Sequence, residues 1–151
     1  MNEFKWEDFR RGVFLVNLLA IIYDPKSGKI LIGRREADPY IKELSWCFPG
    51  GRPAYEEELE NYLKLEVKKK TNLDIDVVDV LFAKTYPEQR KFLSIYYLAL
   101  PRNIGEEKPG EKFVELKWVR PTEVREYFTT SIHPRILKIL ESLEEKGLSL
   151  P

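Results

Sequence analysis

Apolar residues along this chain gather mostly in short unbroken or alternating runs, the pattern of strands, and take helical spacing in only a few places. The first run, 13–23 (VFLVNLLAIIY), is preceded by acidic residues, is followed by no small-residue cleavage site and is far too short to cross a bilayer. It predicts a buried strand. Residues 24–29 are turn formers and 30–35 (ILIGRR) have strand composition, so the two runs predict a hairpin. An irregular stretch containing Asp38-Pro39 leads to the apolar segment Trp46-Cys47-Phe48 and then to Pro49-Gly50-Gly51. Adjacent glycines there allow positive φ and the close approach of other groups.

From 56 to 71 the period changes. Leu59, Tyr62, Leu63 and Val67 recur at helical spacing, acidic residues crowd the first turn, three lysines fill the last, and Asn72 is a plausible stop. Residues 75–86 and 92–100 are again apolar and β-branched, separated by 87–91, and predict a second hairpin. A polar loop over 101–110 precedes a strand at 113–119, a short Pro-led helix at 121–128 and a longer one at 134–146 ending at Gly147. Strands mixed with a central and a C-terminal helix predict an α/β sandwich around a mixed β-sheet, as one domain over 1–151.

Composition narrows this picture. Hydrophobic residues make up 43% of the 151 residues, enough for one core, and neither an internal repeat nor a linker divides them. Basic and acidic residues balance at 25 each, so no global field draws the chain to nucleic acid or to an anionic membrane. Any electrostatic binding is local. The single cysteine, Cys47, forms no internal disulfide and fits a reducing, cytoplasmic setting. In an apolar strand end it reads as a small buried hydrophobe. His133, the one histidine, has no spacing that suggests a catalytic triad, and zinc, P-loop and dinucleotide patterns are missing.

One constellation stands out: Trp46-Cys47-Phe48-Pro49-Gly50-Gly51, then Glu57, then the helix to Leu73. It resembles the signature of the Nudix superfamily, which runs Gly, five residues, Glu, seven residues, then Arg-Glu-hydrophobe-any-Glu-Glu-any-Gly-hydrophobe. Gly51, Glu57, Glu66, Val67 and Leu73 match without a gap, whereas Leu65 stands at the Arg, Lys69 and Lys70 at the Glu pair and Asn72 at the Gly. The resemblance extends to Gly33-Arg34-Arg35 and to Glu115-Leu116-Lys117-Trp118-Val119 before a Pro-led helix, covering 13–145.

The resemblance implies a Nudix-like α/β/α sandwich and a nucleotide-type small molecule as partner, with no nucleic acid and no membrane; it also allows a homodimer. It implies hydrolysis of a diphosphate joined to a nucleoside, with Mg²⁺ or Mn²⁺ held by helix carboxylates and by the carbonyl of Gly50. Glu57 and Glu66 are the catalytic residues it retains. Gly50, Glu66 and a carboxylate from elsewhere, such as Glu115, are the metal ligands it leaves.

Glu66, Lys69 and Lys70 are spaced i, i+3 and i+4 and share one helix face. An ammonium about 4 Å from a divalent ion is repelled by roughly 8 kcal/mol at an effective dielectric near 20, twice the single-charge figure. Lys69 and Lys70 are better suited to meeting a diphosphate directly. Arg34 and Arg35 alternate along a strand, so one of them is expected on the site side as a further phosphate contact. Trp46, Phe82, Tyr86 and Phe128 have flat faces that suit either a base or the core; Trp46 and Tyr86 border predicted loops and are the stacking candidates. Three readings stay open: a binding domain with weak or absent hydrolysis, an active Mg²⁺-dependent hydrolase, and an interaction or scaffold module.

Overall fold

The computed structural model describes residues 3–148; the outermost residues of the domain expected over 1–151 lie outside the described part. The run at the start of the chain becomes β1 (Leu15–Asp24), the second becomes β2 (Lys29–Arg35), and two short strands follow, β3 (Trp46–Cys47) and β4 (Gly50–Gly51). After α1 (Leu59–Thr71) come β5 (Ile75–Thr85), β6 (Phe92–Pro101) and β7 (Phe113–Val119), then α2 (Val124–Tyr127) and α3 (Pro134–Lys146). A 3₁₀ turn at Trp6–Phe9 precedes β1 and another at Pro121–Glu123 leads into α2.

The sheet is mixed. Its order is β3-β2-β1-β6-β5, with β4 on β1 and β7 on β2. β1 and β6 run parallel from Leu15↔Phe92 to Ile22↔Ala99, while β5 and β6 form the second predicted hairpin. The first hairpin is shorter than its apolar pattern suggests. Only Tyr23↔Ile30 and Asp24↔Lys29 pair before β2 leaves β1 for β7. Alternation along β1 sends Leu18, Ala20 and Ile22 to one face, under Leu63 and Val67 of α1. Ile21 and Tyr23 go to the other, with Ile30, Ile32 and the α3 residues Ile136, Leu140 and Leu143. Burying both faces explains why β1 reads as a nearly continuous apolar run.

Helix α1 begins at Leu59 rather than at 56. Glu58 is extended (φ −67°, ψ 149°) as its N-cap and makes no side-chain cap bond. None of the strong capping residues stands at 55–57 to start the helix earlier. Asn72 ends it in the left-handed region (φ 62°), with its N–H donating to the Lys68 carbonyl. His133 caps α3, accepting a hydrogen bond from the Arg135 backbone N–H at its Nδ1 (3.1 Å). Gly50 and Gly51 hold no positive φ. They form β4, and the role left to them is close approach.

Candidate functional site

The Gly-Gly pair brings β4 against both the sheet and α1. A Cβ on Gly50 would run into the Leu18 carbonyl oxygen, and one on Gly51 would stand 2.8 Å from Cγ of Glu66. Glu66 is therefore held directly beside the Gly50 backbone. It is buried, 8% exposed.

Two ammonium groups share its carboxylate. Lys69 Nζ lies 3.5 Å from Oε1 and Lys70 Nζ 3.4 Å from Oε2. The Lys70 ammonium also donates a hydrogen bond to the Gly50 carbonyl oxygen. Lys70 is the inner cation, its side chain 13% exposed against 56% for Lys69. Leu65 is exposed on the helix and supplies no polar group to orient Glu66. Tyr62, one turn back, is the remaining neighbour: burial, together with the adjacent Glu66 carboxylate, raises its phenol above the ordinary range. Gly50, Glu66, Lys69 and Lys70 are thus brought together as their spacing predicts, with the lysines turned toward the carboxylate.

A cavity of about 390 Å³ opens from this point into the molecule. Gly50, Gly51, Glu66 and Lys70 line one side of it. Trp46, Phe48, Tyr86, Tyr96 and Phe128 line its aromatic part, where the Phe48 ring meets Phe128 at 5.0 Å and Trp46 packs edge-on against Tyr127. The hydroxyls of Tyr86 and Tyr96 are 3.3 Å apart. Burial raises both phenols above the usual range, and it pushes the Cys47 thiol up to about 11. These three groups are uncharged at pH 7.

The predicted arginines separate. Arg35 lines the cavity, with its guanidinium 3.0 Å from Asp38 and its Nε buried without a partner. Arg34 does not; it is tied at the surface to Glu36 (3.0 Å) and Glu115 (3.1 Å). That pairing follows from the β2–β7 register, which sets Arg34 opposite Glu115, so Glu115 is engaged there and does not join Glu66. Glu57 is exposed in the turn before α1 and lines no part of the cavity. Among the described residues no three of His, Cys, Asp or Glu converge on a common point, so Glu57, Glu66 and Glu115 do not form a ligand set.

Other cavity residues escaped the sequence reading. Arg52, whose guanidinium carbon lies 5.1 Å from the Tyr40 ring centroid, and Lys112 bring two more cations to the wall. Arg52 follows the glycine pair directly, a usable signal; Lys112 sits in a polar loop without pattern. Asn17, a polar residue within the β1 run, also lines the cavity.

Comparison with known proteins agrees with this fold. The family model of the NUDIX domain matches residues 13–142. A NUDIX hydrolase from Nitrosomonas europaea superposes with a TM-score of 0.70 at 17% identity, covering 87% of this chain and 72% of the other. A MutT protein from Methanosarcina mazei Go1 gives 0.69 at 18%, covering 89% and 97%. An ADP-ribose pyrophosphatase from Streptococcus suis gives 0.63 at 18%, covering 87% and 92%. At these identities the structural likeness speaks for the fold alone. No curated protein sequence matches the chain. With the family model spanning most of its length and the glycine pair, α1 and the mixed sheet in place, the chain belongs to the NUDIX domain family.

Proposed function

We propose that this domain binds a nucleoside diphosphate-linked compound without needing a divalent ion, and hydrolyses it weakly or not at all. The observation that carries the proposal is the Lys70 ammonium, held between the Gly50 carbonyl and the Glu66 carboxylate. Those are the groups that the family resemblance assigns to Mg²⁺ or Mn²⁺. Such hard cations take about six or more oxygen ligands. Here the Gly50 carbonyl and the Glu66 carboxylate are both engaged by ammonium, with a second ammonium 3.5 Å from the same carboxylate, and the cavity's other carboxylates, Asp38 and Glu111, do not converge with Glu66 as a set of three. The donor set does not suit a divalent ion.

An ammonium brings one positive charge and three N–H donors. Two of those on Lys70 face Gly50 and Glu66, which leaves one for a phosphate oxygen. Lys69, Arg52 and Lys112 add charge around it. What a lysine does not supply is the large fall in the pKa of bound water that a divalent ion produces, so binding outlasts turnover. Trp46 and Tyr86 offer flat faces to a base deeper in the cavity. The reading as an active hydrolase needs Glu57, Glu66 and a relocated carboxylate to act together; Glu57 lies off the cavity wall and Glu115 is paired with Arg34.

The test is titration calorimetry with ADP-ribose and with nucleoside di- and triphosphates, in EDTA and in Mg²⁺, followed by a product assay. Binding in EDTA that Mg²⁺ leaves unchanged, with little or no product, is the expected result. Binding or turnover that requires Mg²⁺ overturns the proposal, as does silence with every ligand.

A further inference from the structure

We infer that Asn17 selects the buried head of the ligand, by hydrogen-bonding the edge of an uncharged planar heterocycle. This rests on the proposal that a nucleotide-type compound occupies the cavity, and it names the group that reads that compound's base.

Asn17, itself half-buried, is the one polar residue in the run 13–22 and precedes the fully buried Leu18. Asparagine is depleted in strands and costly to bury unpaired, so a Leu or Val there would serve the fold better. Alternation along β1 places Asn17 and Leu19 toward the cavity, while Leu18, Ala20 and Ile22 pack under α1.

A second polar group stands beside it. The parallel register pairs Asn17 with Ser94 of β6, between the pairs Leu15↔Phe92 and Leu19↔Tyr96 on the same face. Ser94 is 0% exposed and does not itself line the cavity; the Tyr86 hydroxyl, which does, is its hydrogen-bonding neighbour. The Tyr86 and Tyr96 hydroxyls extend the polar strip away from Asn17.

The carboxamide and hydroxyls of this strip are uncharged, and the ammonium nearest to them, Lys84, is turned onto the Tyr86 ring at 3.5 Å. A carboxamide presents a donor and an acceptor side by side, and the edge of a nucleobase presents the complementary pair. The hydroxyls serve as either. The charged part of the ligand then meets Lys70, Arg52 and Lys112, which line the same cavity. At about 390 Å³ the space lies near the small end of the roughly 300–1,000 Å³ usual for ligand sites, which favours one enclosed heterocycle over two.

The experiment compares wild type and Asn17→Leu by calorimetry, using the four common nucleoside diphosphates and inorganic diphosphate. Leucine suits a strand and matches asparagine in size, and a melting curve checks that the variant is folded. Wild type should prefer one base. Asn17→Leu should lose about tenfold or more in affinity for that base and bind all four alike, with inorganic diphosphate unaffected. As a second readout, the side-chain amide resonances of Asn17 should shift with the preferred nucleotide and stay put with inorganic diphosphate. Unchanged base preference in Asn17→Leu overturns the inference and leaves the proposed binding intact. So does wild type that binds inorganic diphosphate and no nucleotide better. Wild type that binds nothing overturns both.

Discussion

Lys70→Met keeps the length of the inner lysine and removes only its ammonium. Glu66, whose side chain is 10% exposed, then keeps Tyr62 and the largely exposed Lys69 as neighbours, and the Gly50 carbonyl loses its donor. Breaking a buried ion pair from one side costs about 3–5 kcal/mol. Solvent reaching Glu66 past Lys69 and the remaining Lys69 charge reduce this, to about 2–3 kcal/mol. In a domain of this size each kcal/mol moves the melting temperature by about 2–4 °C, so Lys70→Met should melt about 5–10 °C below wild type. The vacated place, now one carboxylate and one carbonyl, becomes open to a cation. With a dissociation constant of about 1 mM, Mg²⁺ at about 10 mM returns roughly 1.4 kcal/mol. The assay is thermal denaturation followed by circular dichroism in EDTA and in Mg²⁺. If Lys70→Met melts with wild type, the ammonium is not holding β4 to α1. If Mg²⁺ stabilises wild type as much as the variant, the ammonium is not standing in the ion's place.

Restoring the family pattern with Lys69→Glu, Lys70→Glu and Leu65→Arg should create Mg²⁺ binding detectable by calorimetry, and no gain over wild type counts against the alignment. Gly50→Ala drives a Cβ into the Leu18 carbonyl and should cost about 3 kcal/mol or more in urea denaturation, whereas Gly51→Ala meets a flexible Glu66 side chain and should cost distinctly less. Lys84, 8% exposed with its ammonium 3.5 Å from the Tyr86 ring centroid, has its pKa pulled by burial from 10.5 to about 8. The unfolded chain therefore holds that proton up to about pH 10.5 and the folded chain releases it above about 8. Stability tied to Lys84 rises with pH across that window and is lowest below it. Urea denaturation at pH 7 and pH 10 should show wild type gaining on Lys84→Met; parallel pH profiles would refute the assignment.

Much of the fold was legible because burial on two sides writes itself into the sequence. The β1 run, the β5–β6 hairpin and α3 follow from apolar period alone, and α3 begins and ends where Pro134 and Gly147 predict. The parallel β1–β6 pairing was not legible, since it joins strands far apart in the chain and no local pattern encodes which neighbours meet. At the site, helix periodicity was enough to place Glu66, Lys69 and Lys70 together. It could not tell that Arg34 would be drawn to Glu115, because that contact depends on the register of β2 with β7. Asn17 carried a signal, a polar residue where the strand wants an apolar one. Ser94 carried none until β6 was laid beside β1.

The Lys70 contact has a consequence for folding as well as for binding. Gly50 lies so close to β1 that its carbonyl is fixed by the sheet, and Gly51 lies so close to α1 that Glu66 has little room to turn away. A buried carboxylate and a carbonyl oxygen facing one another repel unless a cation lies between them. A free divalent ion meets that need only when it is bound, and stability then depends on its concentration. An ammonium attached one helical turn along α1 is present at fixed stoichiometry from the moment the helix forms. Lysine at position 70 thus makes the junction of β4 and α1 independent of any ion in solution.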